Sequence, residues 1–109
     1  MSTATAWTFL LISGLADVLW AITTKYSAGY TRLTWTAASL VALVIFLGLL
    51  TQALKVLPLG TAYAVWTGIG AVGSVVAGLV LFGESMSAAR LAAVAVILSG
   101  VVALKVLPA

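Results

Sequence analysis

Four apolar runs follow one another along the chain, at about residues 6–24, 33–54, 60–82 and 88–104. Each is close to the ~20 residues that a helix needs to cross bilayer hydrocarbon, the last being the shortest. Hydrophobic residues make up 64% of the 109 and charged residues only 6%, whereas about a quarter of a soluble domain is charged. A chain this apolar cannot cover itself with polar surface. None of the runs alternates polar and apolar for ~10 residues, as a membrane strand would. Hydrocarbon admits only helices and closed barrels, so the sequence predicts an all-α membrane protein of four transmembrane helices in a single domain over residues 1–109.

The connections agree. Lys25 ends the first run, and residues 26–32, polar, aromatic and glycine-bearing, read as an interfacial loop. Lys55 ends the second, and Pro58 fits the first turn of the third helix. Gly83 to Ser87 break the third run, with Ser87 an expected N-cap for the fourth. Lys105 and Pro108 follow the last. The N-terminus has no lysine or arginine ahead of its apolar run and is not expected to be a cleaved leader.

Several functions are poorly served by this composition. There is no cysteine or histidine, and the only acids are Asp17 and Glu84. Zinc sites and hard-metal cages lack ligands, and nucleophile–base pairs lack members, so neither a metal, a cofactor nor an enzyme is expected. The five basic residues are scattered between apolar runs and form no nucleic-acid footprint. With four spans, Lys55 and Lys105 lie on one side of the membrane and Lys25, Arg32 and Arg90 on the other. A difference of one charge is a weak orienting signal. Insertion in both orientations and a single orientation set by local charge position both remain open.

Asp17, near the middle of the first run, is the residue that points to function. An ionised acid at that depth costs roughly 3 kcal/mol on insertion scales and belongs against protein or a watery cavity. It can hold a proton or an organic cation, not both, which is the physical basis of proton-coupled exchange. Ser13, Asp17, Trp20 and Thr24 share one helical face, with Gly14 beside the acid. In the third run Tyr63, Thr67, Gly70 and Ser74 repeat that spacing, and Trp66 lies close to Tyr63. Trp20, Tyr63 and Trp66 are expected to wall a site for a flat cation, with the Tyr63 hydroxyl able to hydrogen-bond to Asp17. Trp7 and Trp35 are expected in the interfacial belt, and Glu84 solvated in its loop. Gly70, Ser74 and Gly78 permit close helix contact, Gly68 and Gly70 allow a bend, and Gly100 and Ala103 mark the fourth run as an assembly helix. Four helices enclose little volume. A dimer would supply more walls and bring two Asp17 carboxylates together as a coupled pair. Antiparallel partners would form an inverted repeat suited to alternating access.

The blocks Gly14-Leu15-Ala16-Asp17-Val18-Leu19-Trp20-Ala21, Lys25 to Arg32, and Pro58 to Gly70 together resemble the small multidrug resistance transporters, specifically their guanidinium-exporter subtype. The resemblance covers nearly the whole chain. It implies an antiparallel, dual-topology dimer in the bacterial inner membrane that exchanges protons for small guanidinyl cations. The sister subtype exports quaternary ammonium and other multidrug cations. The resemblance places the central acid on Asp17, and the gate and site wall on Trp20, Tyr63, Trp66 and Gly14. It places a bend at Gly68 to Gly70 and the main dimer contact on the fourth span. Two positions depart from the family pattern. Its central acid is usually glutamate, so Asp17 is one methylene shorter. Phe46 stands where the exporters carry a serine that orients the acid, so the resemblance implies the loss of a buried hydrogen bond there. A homodimer of altered selectivity, one half of a paired heteromer and an impaired transporter are all compatible with these departures, and the small-residue patches on the third and fourth spans suit a non-transporting accessory subunit.

Overall fold

The computed structural model describes residues 1–107; Pro108, expected to follow the last span, lies outside them. All regular structure among the described residues is helical: α1 (Thr3–Tyr26), α2 (Leu33–Leu54), α3 (Leu59–Leu81) and α4 (Ala88–Val106). Each is long and apolar enough to cross a membrane.

Local chemistry sets the helix ends. Ser2 caps α1, its Oγ accepting from the Thr5 N–H at 3.1 Å. Ser87 caps α4 in the same way, accepting from the Arg90 N–H at 3.2 Å. Such caps satisfy amide groups that a helix start leaves without partners. Pro58 is the N-cap of α3 and not part of its first turn. Lys25 lies inside the last turn of α1, where a cation complements the helix dipole, and the helix ends one residue beyond it.

The loop after α1 is a tight left-handed turn. Ala28, Gly29 and Tyr30 have φ of 51°, 74° and 67°. Buried Ser27 organises them. Its Oγ donates to the Thr24 carbonyl at 2.6 Å and accepts from the Tyr30 N–H at 3.0 Å. Its carbonyl accepts from the Thr31 and Arg32 N–H groups at 2.9 and 3.0 Å.

α1 packs between α2 and α3, and α4 packs on α3; α2 and α3 meet only marginally. The molecule measures 43 × 35 × 16 Å. Helix axes pack 8–10 Å apart, so a closed two-by-two bundle would have two short dimensions. Here there is one, and the helices form an open layer in the order α2–α1–α3–α4. The best-buried cluster unites Ala6 and Leu10 of α1, Leu50 and Ala53 of α2, Leu57, and Ala62 and Val65 of α3. α4 has no buried residue.

Candidate functional site

The polar face of α1 divides between its two neighbours. Ser13 Oγ donates to the Phe46 carbonyl of α2 at 2.7 Å, and the hydroxyls of Thr24 and Ser39 share a hydrogen bond at 2.6 Å. Asp17, between them in sequence, turns toward α3 and rests against Gly70; a Cβ on Gly70 would run into Asp17 Oδ2. The same α1–α3 seam places Gly14 under Ile69, where an added Cβ would lie 2.7 Å from Ile69 Cγ2, and Gly73 under Val18. Small residues thus bring the two backbones close, and the carboxylate occupies one of the notches they leave.

An aromatic series crosses the three helices beside this seam. Trp20 meets the edge of Phe46 with ring centres 5.9 Å apart. Phe46 lies 5.5 Å from Trp66, and Trp66 lies 5.7 Å from Tyr63. Phe46 is buried, and its ring joins Trp20 to Trp66. Trp66 Nε1 is buried with no acceptor.

Among the described residues no hydrogen bond or ion pair reaches the Asp17 carboxylate; the one salt bridge joins Lys25 and Glu84 at 3.2 Å. Two expectations change accordingly. Tyr63, more than half exposed, makes no hydrogen bond to Asp17. Glu84 is not free in its loop but paired, because the chain reversal after α3 carries it back over Gly78: its N–H donates to the Gly78 carbonyl at 3.0 Å and its carboxylate touches Gly78.

The remaining residues fall into three groups. Thr67 is exposed. Gly68 and Gly70 lie in uninterrupted helix, one against Val101 of α4 and the other against Asp17. Gly100 faces open space and Ala103 is half-buried. Neither expected belt residue is isolated: Trp7 lies 4.9 Å beneath the Lys105 ammonium, and Trp35 stacks on Tyr26 at 4.7 Å.

Comparison with known proteins gives a consistent result. The family model described as Small Multidrug Resistance protein matches residues 5–97. The chain is 50% identical to a guanidinium exporter of Salmonella typhimurium over 100 residues, covering 92% of this chain and 95% of that protein. It is 54% identical to a guanidinium exporter of Yersinia pseudotuberculosis, covering 92% and 96%. A third, from Citrobacter freundii, is 49% identical over 92% and 95%. The chain belongs to the small multidrug resistance family and is a multi-pass inner-membrane protein. Its relatives are named as exporters and not as enzymes.

Proposed function

We propose that this chain exchanges protons for small guanidinyl cations across the membrane, working as an antiparallel, dual-topology dimer. The observation that carries the reading is Asp17: a carboxylate within a membrane-crossing helix, held in a glycine notch and left without a cationic partner. Burial makes an uncompensated negative charge costly. A proton or a cation relieves that cost, and each excludes the other. The exporters at about half identity supply the class of cation.

Each further residue has a role in this proposal. Trp20, Tyr63 and Trp66 wall the site and offer ring faces to a delocalised cation. Phe46 wedges Trp20 and Trp66 apart, and Ser13 ties Phe46's backbone to α1. Gly14 admits Ile69 of α3 one turn from the acid, and Thr67 is exposed one turn before Gly70. Gly68 and Gly70 let α3 bend as the site changes sides. The chain is one domain, with spans at about 6–24, 33–54, 60–82 and 88–104. The open layer and the unburied α4 favour assembly: a second copy closes the face that one layer leaves open, and Gly100 and Ala103 belong to the contact.

The test is transport by the purified chain in liposomes under a pH gradient, with proton release on adding guanidinium to the detergent-solubilised protein. Uptake driven by the gradient and lost in Asp17→Asn is expected. Activity of the chain alone gives a homodimer, whereas activity only with a second small family member gives a heterodimer. The absence of both binding and proton release at every pH would sink the proposal.

A further inference from the structure

At the end of the layer that carries the α1–α2 and α3–α4 loops, a cavity of about 240 Å³ lies between α1 and α3. It is floored by Ala21, Ser74 and Gly78 and closed by Lys25, Phe82 and Glu84. Drug-sized clefts run to roughly 300–1,000 Å³, so this one suits a smaller guest. Its mouth already holds a cation: the Lys25 ammonium lies 3.2 Å from Glu84 Oε2 and 4.8 Å above the centre of the Phe82 ring.

The Glu84 backbone and the Phe82 ring are both anchored in the fold. Glu84 is held by its N–H bond to the Gly78 carbonyl and by contact with Gly78 itself. Phe82 is backed by Tyr26, ring centres 4.9 Å apart, and Tyr26 by Trp35. The Lys25–Glu84 pair is more than half exposed on both sides, and ion pairs in that setting are weak and exchangeable. A guanidinium presents a planar fork that fits a carboxylate with two hydrogen bonds and stacks on an aromatic face. A lysine ammonium has neither property.

The cavity lies on the same α1–α3 seam as Asp17. Asp17, Ala21 and Lys25 follow one another at successive turns of α1, and Gly70, Ser74 and Gly78 do so on α3. Asp17 touches Gly70 at one end of this lane, and Glu84 touches Gly78 at the other. Eight residues of α3 separate Gly70 from Gly78, about 12 Å along the axis.

We propose that Glu84 and Phe82 form an outer cation subsite, held by Lys25 in the empty protein and taken over by a guanidinyl cation on its way to Asp17. The proposal rests on the reading of the chain as a guanidinyl-cation carrier. Displacement of Lys25 opens the mouth of the lane while the arriving cation keeps the Glu84 charge compensated.

The test is a guanidinium chloride titration of the full-length protein in lipid, followed by NMR of the Phe82 ring and the Lys25 ammonium. Sodium chloride at equal ionic strength controls for screening. It is run in the Asp17→Asn background to remove the inner site. Weak saturable shifts at Phe82 are expected. Adding Lys25→Gln should tighten them several-fold, Glu84→Gln should weaken them at least tenfold, and Phe82→Leu, read at the Lys25 ammonium, should weaken binding several-fold. With Asp17 intact, Glu84→Gln should raise KM for guanidinium several-fold more than it lowers kcat. This transport arm decides the matter if Asp17→Asn disturbs assembly. Phe82 signals that do not move, or that move equally with and without Glu84, overturn the subsite. Unchanged tight binding in Asp17→Asn would instead refute the role of Asp17, and so reports on the other reading separately.

Discussion

Gly70→Ala separates the chemistry of the site from its packing. A methyl at this position lands within the contact distance of Asp17 Oδ2, and the carboxyl group must turn away. Forcing a side chain some 30° from its preferred torsion costs about 0.5–1.5 kcal/mol. Since 1.4 kcal/mol is tenfold in affinity, cation binding should weaken roughly 2- to 12-fold. Thermal stability should change little, because the end of a short side chain yields more easily than a helix. Gly73→Ala is the matched control. Its methyl meets both γ-carbons of Val18, a β-branched side chain with little rotamer freedom. Here the helices themselves must separate, at the roughly 1–3 kcal/mol typical of overpacking. Stability should fall while the affinity of the protein that remains folded is largely kept. The assay is guanidinium KM in liposomes together with the melting temperature in the same lipid. If Gly70→Ala keeps wild-type affinity, or if the two variants lose affinity equally, the carboxylate does not depend on that notch and the reasoning fails.

Asp17→Glu should retain exchange but shift its pH profile, since the longer stem no longer fits the Gly70 notch; an identical profile would count against that contact. Acidification should inhibit cation binding, because the proton and the cation compete for one carboxylate. Below the group's titration midpoint, each pH unit should cost about tenfold in affinity per proton exchanged, as read by calorimetry. Phe46→Ala should destabilise the protein by about 3–5 kcal/mol, the usual cost of deleting a buried ring, with Trp20 and Trp66 fluorescence shifting together. Ser13→Ala removes the buried bond to the Phe46 carbonyl, which keeps its partner within α2, and should cost about 0.5–1.5 kcal/mol. A stability within error of the wild type would mean that this bond adds nothing net to the fold.

The number and extent of the helices were readable because each apolar run is long and the breaks between them carry Lys25, Lys55, Pro58 and Gly83. Which helix touches which was not. A span that is apolar all round has no polar face to mark its outer side, so small residues are the only local guide to a buried one. Even these mislead when read as a group. Gly68 and Gly70 are two residues apart, about 200° around the helix, and so they serve opposite neighbours, α4 and α1. Asp17 stood out in the sequence because acids at that depth are rare. The Lys25–Glu84 pair did not, because it joins residues 59 positions apart and depends on the reversal at Gly83, which has a φ of +63°. Phe46 read as a lost polar partner because a substitution shows what is gone, whereas its place between Trp20 and Trp66 exists only once three helices have packed.

The open layer makes the orientation of the chain a question about function. A single copy is an open layer in which α4 has no buried residue, and the proposed second copy is inverted. Both orientations must then be made, and the charge distribution permits it: two basic residues, Lys55 and Lys105, on one side against three, Lys25, Arg32 and Arg90, on the other. The chain has no cysteine, so Ser85→Cys in the exposed loop before α4 gives an unambiguous probe. About half should be labelled by an impermeant reagent from each side of the membrane. Lys55→Gln with Lys105→Gln leaves none against three, which should impose one orientation and abolish transport. A copy biased the other way, with Arg32→Gln, Arg90→Gln and Val56→Lys, has three against one. It too should be inactive alone, and co-expression of the two should restore exchange. Full activity from a singly oriented variant on its own would show that the working dimer is parallel.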